Sequence, residues 1–258
     1  MPESVSDLAK LIFHLSEAAL DFLPLGAGSN LLLGKVENCY LISDKQLPRS
    51  LQIEENEIVV SANFNINALI HALLRYDLGG LSFLSGIPAH LGGLVKMNAG
   101  AYGASIGDFV KWVKLIDKSG RSQQLDAEQI CFSYRSSKLS GFIYEICLRL
   151  EPVAQIAEKE KVLARIDQRR KSQPLNYPNL GCFFKNPPDE SAGRLIDECG
   201  LKGCQIGGAS VSEKHANFII NRDNATFGDT RKLMNLVKNE VYNKFKIKLE
   251  EEIEVIGI

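Results

Sequence analysis

The sequence predicts an α+β protein in two parts, a strand-rich first half followed by a smaller α/β unit. Three observations carry that expectation. Windows with apolar residues at helical spacing alternate with short, strand-length runs rich in Val, Ile and Leu. The composition shifts at Glu151-Pro152, and from 154 to 171 the chain is charged and helical, as at a domain boundary. Two glycine-rich stretches, 24–34 and 83–103, each lie beside a strand-like run. The 258 residues suffice for two modest domains, expected at 1–153 and 154–258.

The elements follow in order. Val5, Leu8, Ile12, Leu15 and Ala19 share one helical face, so 4–19 is read as an amphipathic helix packed on a sheet. Residues 22–25, 39–43 and 57–62 read as short buried strands. A second helix over 67–76 stops at Asp77-Leu78-Gly79-Gly80. The segment 86–103 is too irregular for one regular element. Residues 109–117 and 129–132 read as extended, 142–150 as a strand, and Lys118-Ser119-Gly120 as a hairpin-type turn. Beyond the boundary come a loop at 172–188, a helix near 191–199, a strand at 218–221, a long helix from 229 to about 245, and a strand-like end over 248–258.

The bulk properties narrow the function. Formal net charge is −1, which gives no footprint for nucleic acid or an acidic membrane. No apolar run approaches bilayer length, and the acidic N-terminus lacks a basic signal-peptide start, so a cytoplasmic protein is expected. The six cysteines then read as free thiols. Cys199, Cys204 and His215 match no standard zinc spacing, and no metal is expected. Cys39, Cys131 and Cys147 lie in apolar runs and read as small core hydrophobes.

The glycine-rich stretches carry the chemistry. Pro24-Leu25-Gly26-Ala27-Gly28-Ser29-Asn30 and the run from Phe83 to Gly103 place small residues around a hydroxyl or an amide. Such backbone lets N–H groups approach a phosphate closely. Two such loops suggest a pyrophosphate held from two sides, as in a dinucleotide. Neither is a G-x-G-x-x-G opening a βαβ unit, so a Rossmann fold is not expected.

Gly26-Ala27-Gly28-Ser29-Asn30 resembles the pyrophosphate loop of the PCMH-type FAD-binding fold, the fold of vanillyl-alcohol oxidase. With it come Gly86-Ile87-Pro88, Gly92-Gly93, Met97-Asn98-Ala99-Gly100-Ala101-Tyr102-Gly103, Tyr134-Arg135-Ser136-Ser137, Gly181-Cys182-Phe183-Phe184-Lys185-Asn186-Pro187 and the Glu250-Glu251-Glu252 run ending near Gly257. Ile206-Gly207-Gly208-Ala209 and Ser212-Glu213-Lys214-His215-Ala216-Asn217 add a substrate-domain signature. This ordered set is similar to the UDP-N-acetylenolpyruvoylglucosamine reductase (MurB) family, in its compact type II form.

That resemblance implies a PCMH-type FAD-binding domain of two subdomains and a smaller substrate-binding domain. It implies NADPH-dependent, FAD-mediated reduction of UDP-N-acetylglucosamine enolpyruvate to UDP-N-acetylmuramate, in peptidoglycan precursor synthesis, by a monomer with small-molecule partners. FAD would be non-covalent and contacted at Gly26, Ala27, Gly28, Ser29, Asn30, Gly86, Ile87, Pro88, Gly92, Gly93, Asn98, Gly100 and Ala101. Tyr134, Lys185 and Asn186 would bind substrate. Arg135, Cys182 and Glu252 would be catalytic, with the final strand returning Glu252 to the cleft.

The residue chemistry suits those roles. A guanidinium at Arg135 can hold a carboxylate in bidentate fashion and stabilise an enolate without losing its proton. Cys182 stands where the family usually has a serine general acid; a thiol, with a pKa of about 8.5, is a better acid than an alkyl hydroxyl. Register picks Glu252 from three consecutive glutamates, and Glu250 shares its strand face while Glu251 does not. Two further departures are expected to matter. Ala89-His90 replaces the usual Gly-Ser/Thr after Gly86-Ile87-Pro88, so either the imidazole donates to FAD in the hydroxyl's place or that contact is lost. The family's first strand, T-x-x-[IV]-G-G, has no counterpart before the first helix, so either the true start lies upstream or the FAD half is N-terminally shortened. Two rival functions are a different PCMH-type flavin oxidoreductase and a non-catalytic flavin- or UDP-sugar-binding module.

Overall fold

The computed structural model describes residues 1–257, which form two compact units. The first comprises Met1–Gly28 and Asn38–Ile166; the second comprises Ser29–Glu37 and the chain from Asp167 onward.

In the first unit, helix α1 (Val5–Glu17) begins where the Ser4 hydroxyl accepts from the Asp7 N–H at 3.1 Å, and it buries Leu8, Ile12 and Leu15. The strands Asp21–Leu25 and Cys39–Ser43 pair in parallel. They are less buried than expected, since Tyr40 and Leu41 are exposed. The main sheet is antiparallel, in the order Ser122–Asp126, Val110–Ile116, Phe142–Arg149, Glu57–Ser61, Leu51–Glu54. Its apolar face contributes Ile58, Val60, Val113, Ile146 and Leu148 to one core with Leu69 of helix α2 (Ile66–Leu73) and Leu94 of helix α3 (Leu91–Lys96). Burial of such side chains is worth about 1.5–3 kcal/mol each.

Two sequence expectations change here. The extended segment expected at 129–132 is instead helix α4 (Ala127–Ile130), and the strand lies before it at Ser122–Asp126. The cause is local: Asp126 and Gln129 form a reciprocal capping box, which starts a helical turn. Cys131 ends that turn at φ 53 and is exposed, so it is not a core hydrophobe; Cys147 is buried and Cys39 half-buried. The irregular 86–103 segment resolves into α3 and a small hairpin, Gly100–Ala101 against Ala104–Ser105. Helix α5 (Gln155–Ser172) follows, with Glu158 and Val162 buried.

The second unit holds a four-stranded antiparallel sheet in the order Asn179–Cys182, Phe218–Asn221, Ala209–Val211, Gln205–Ile206. The first of these strands lies in what reads as a loop in sequence. Helix α6 (Ala192–Glu198) and helix α7 (Phe227–Phe245) supply Leu195, Ile196, Leu233, Met234 and Val237 to its core, with Phe183, Phe184 and Ile253. The strand-like end narrows to Glu254–Ile256, which pairs in parallel with Leu31–Leu33. Ile258, the last residue of that expected stretch, lies outside the described residues.

Candidate active site

The first unit gathers most of the expected cofactor positions. Gly26, Ala27 and Gly28 leave the end of Asp21–Leu25, and Gly28 takes φ +71, a left-handed conformation that suits glycine. Beside them stands a pair that sequence reasoning missed. His90 Nδ1 lies 2.9 and 3.1 Å from the two Asp44 carboxylate oxygens, and both side chains are nearly buried, at 12% and 9% exposure. A Cβ built on Gly26 would meet Asp44 Oδ2 at 3.6 Å and His90 Cβ at 3.7 Å. The residue in the hydroxyl's place is therefore held by a carboxylate against the first loop. No local signal ties Asp44 to His90, which lie 46 positions apart.

The second loop is held from α2. Asn67 accepts from the Gly86 N–H at 2.7 Å and donates to the Ile87 carbonyl at 2.8 Å, fixing the turn that leads into Pro88. Gly92 and Gly93 then differ in role. A Cβ on Gly92 would lie 2.9 Å from Ala62 Cβ, so Gly92 serves close packing on the strand end. A Cβ on Gly93 would meet nothing within 4 Å, so the backbone there is open to a ligand. Asn63, which donates to the Asp44 and Leu47 carbonyls, leaves Oδ1 as a buried acceptor with no partner among the described residues. Left-handed glycine, open backbone and an unmet acceptor fit a dinucleotide such as FAD.

Tyr134 and Arg135 sit at the tip of a tight hairpin closed by Ser133 and Ser136, which exchange N–H···O bonds of 3.0 and 3.1 Å. Arg135 has φ 53 and its guanidinium lies 5.1 Å over the Tyr134 ring. A Cβ on Gly100 would sit 3.0 Å from Arg135 Nη1 and 2.6 Å from the Ala104 carbonyl oxygen. Only glycine leaves that space, which places Arg135 against the hairpin that carries Gly100 and Ala101.

The second unit gathers the rest. Ser29 and Asn30 belong to it, although they follow Gly28 directly. Asn30 Nδ2 donates to the Glu252 carbonyl at 3.2 Å, and its own carbonyl accepts from the Glu254 N–H at 2.9 Å. Residues 250–252 run antiparallel beside 183–185: the Glu252 N–H donates to the Phe183 carbonyl at 2.8 Å, and the Lys185 N–H to the Glu250 carbonyl at 2.9 Å. The half-buried Cys182, at the end of its strand, and Glu252 are thus brought to neighbouring backbone positions. Lys185 Nζ lies 3.6 Å from the Glu250 carboxylate. Glu251 turns to α7, where Arg231 and Lys238 hold it at 3.0 and 3.2 Å. Asn186 Oδ1 accepts from the Ala192 N–H at 3.0 Å, at the start of α6.

Asn217 backs this segment. It is 3% exposed, accepts from the Phe184 N–H at 3.0 Å and donates to the Phe184 carbonyl at 2.7 Å. Its own N–H donates to His215 Nδ1 at 3.2 Å, and burial pushes the His215 imidazole below its ordinary pKa. Asn217 stands in sequence only as the last residue of a substrate-domain signature; its support of the Phe184 backbone leaves no periodic mark.

Residues 1–126 match the FAD binding domain family, and residues 173–256 match the C-terminal domain family of UDP-N-acetylenolpyruvoylglucosamine reductase. The UDP-N-acetylenolpyruvoylglucosamine reductase of Moorella thermoacetica is 41% identical over 99% of this chain and 85% of its own length. The chain belongs to the UDP-N-acetylenolpyruvoylglucosamine reductase family. The reductase of Caldanaerobacter subterraneus subsp. tengcongensis is 38% identical over all of this chain and 86% of its own. The crystal structure of the reductase (MurB) from Thermus caldophilus superposes with a TM-score of 0.83 at 33% identity, covering 99% of this chain and 90% of that one. As a member of the reductase family the chain has the α+β fold read from its sequence, a PCMH-type FAD-binding first part followed by the smaller reductase C-terminal part.

Proposed function

We propose that this chain reduces UDP-N-acetylglucosamine enolpyruvate to UDP-N-acetylmuramate, with non-covalent FAD and NADPH as reductant, in peptidoglycan precursor synthesis. The observation that carries the reading is the antiparallel backbone pairing of 183–185 with 250–252, which joins the segment after Cys182 to the segment bearing Glu252 in one unit. It stands on a chain that belongs throughout its length to the reductase family. FAD binding is assigned to the range 1–153 and substrate binding to 154–258, although 29–37 packs with the second compact unit and 154–166 with the first. The protein acts as a cytoplasmic monomer on small molecules, without nucleic acid or membrane; among the described residues no helix is long and apolar enough to cross a membrane.

Bound FAD supplies hydride chemistry. The chain's residues do the rest. Gly26, Ala27, Gly28, Ser29, Asn30, Gly86, Ile87, Pro88, Gly93, Gly100 and Ala101 line the cofactor, with Gly92 packed on Ala62 beside Gly93. Tyr134, Lys185 and Asn186 bind the UDP-sugar. Reduction adds hydride at the β-carbon of the enolpyruvyl double bond and a proton at the α-carbon, and NADPH leaves as NADP⁺. Arg135 holds the carboxylate while negative charge gathers beside it. Cys182 gives the α-carbon its proton, and Glu252 orients that transfer.

The test is direct. Purified protein should be yellow, its flavin band should bleach with NADPH, and the substrate enolpyruvate should restore it with turnover of NADPH. A flavin that a sugar bleaches and oxygen reoxidises, with no response to the enolpyruvate, would replace this reading with that of an oxidase.

A further inference from the structure

Asn98 reads in sequence as a wall of the flavin site. Its surroundings give it another task. It is 6% exposed and adopts φ 48, a left-handed conformation that Asn tolerates better than most residues. Its Oδ1 accepts from the Gly107 N–H at 3.0 Å, and its Nδ2 donates to the Ser133 carbonyl at 2.8 Å. Each end of the amide is thus committed to main chain. The Ser133 carbonyl is the one that also accepts from Ser136 N–H to close the hairpin bearing Tyr134 and Arg135.

The rest of that loop is tied to the same segment. The Ser137 hydroxyl donates to the Lys96 carbonyl at 2.5 Å, and Lys96 Nζ donates to the Leu139 carbonyl. Two residues beyond Asn98, Gly100 leaves the space against which Arg135 Nη1 lies. Asn98 therefore sits at the joint between the glycine hairpin and the arginine hairpin. We propose that Asn98 is a positioning residue for Arg135, setting through the Ser133 carbonyl where the guanidinium meets the substrate carboxylate. This rests on the reductase reading and adds a residue to it. Misplacing a charged group by about 1 Å can cost a hundredfold in rate, so one buried hydrogen bond at this joint can govern turnover.

The experiment separates the two half-reactions by stopped flow. Asn98→Asp keeps the left-handed backbone and the Gly107 acceptor but cannot donate to Ser133; Asn98→Gly removes both bonds and keeps the backbone. Both should bind FAD within about twofold of wild type and bleach normally with NADPH, because Arg135 takes no part in that half. Both should slow reoxidation by UDP-N-acetylglucosamine enolpyruvate by about tenfold or more. Asn98→Gly combined with Arg135→Ala should be no slower than Arg135→Ala alone. Lost FAD affinity, slowed bleaching, or multiplicative losses in the double variant would overturn the inference and return Asn98 to the cofactor. A wild-type flavin that the enolpyruvate fails to reoxidise would sink the proposed function instead.

Discussion

Cys182 is a half-buried thiol at the end of the strand Asn179–Cys182, and the backbone just after it is held by Asn217 and by the 250–252 segment, so its position is fixed while its chemistry can vary. Cys182→Ser should keep steady-state turnover within about tenfold, because a hydroxyl can donate the same proton; Cys182→Ala should lose about a hundredfold or more. Equal rates in the two variants would remove the proton-donor role. The three consecutive glutamates separate as cleanly. Glu251 is paired with Arg231 and Lys238, and Glu252 shares its backbone with Asn30 and Phe183. Glu251→Gln should cost about 1 kcal/mol in urea unfolding and leave kcat close to wild type. Glu252→Gln should leave stability near wild type and lower kcat. The reverse pattern would assign the catalytic role to the wrong neighbour. Alternation along the strand separates Glu251 from its neighbours already in sequence. The partners of each, and the whole Asp44–His90 pair, lie far away in the chain and leave no local trace.

Helices and strands with strong periodicity were legible: α1, α2, α6, α7 and the strands Glu57–Ser61, Phe142–Arg149 and Phe218–Asn221 lie where the apolar spacing puts them. Helix α4 was not, because four residues are too few for a period to show. The strand Asn179–Cys182 was hidden by Gly181 at φ +82 and exists through pairing with Phe218–Asn221. The turn after Val110–Ile116 was read correctly, and its energetics are local. Burial pushes the Asp117 carboxyl up, but the Ser119 hydroxyl, the Arg121 and Ser119 N–H groups and the Gln123 amide outweigh that and hold its pKa at about 2. A carboxyl depressed in the folded state contributes stability that is fully present above its unfolded value of about 3.9 and is lost as pH falls through 2. The contribution is about 2 kcal/mol. Urea midpoints measured from pH 5 down to pH 2 should fall less steeply for Asp117→Asn than for wild type; parallel curves would count against it.

At the scale of the molecule, the chain passes from the first unit to the second between Gly28 and Ser29, inside the glycine loop itself, and returns at Asn38. One short loop thus belongs to both units, Gly26 and Gly28 to the first and Ser29 and Asn30 to the second. A ligand that binds the folded protein alone raises its stability by mass action. FAD at a hundredfold excess over its Kd should therefore add about 2.7 kcal/mol, with a melting temperature that climbs with the logarithm of free FAD. A melting temperature indifferent to FAD, in protein stripped of flavin, would contradict cofactor binding.

The amino-acid sequence alone determined the α+β class, the two-part organisation, the glycine loops and the ordered motifs that mark the reductase family, since these rest on local periodicity, turn chemistry and residue type. Tertiary structure alone decided that Ser29–Glu37 packs with the C-terminal segment, that His90 is held by Asp44, that Glu251 faces α7, and that Asn98 ties the Arg135 hairpin to Gly107. Those contacts join segments distant in the chain, and their free energy comes from desolvated partners meeting in space, which no short window of sequence encodes.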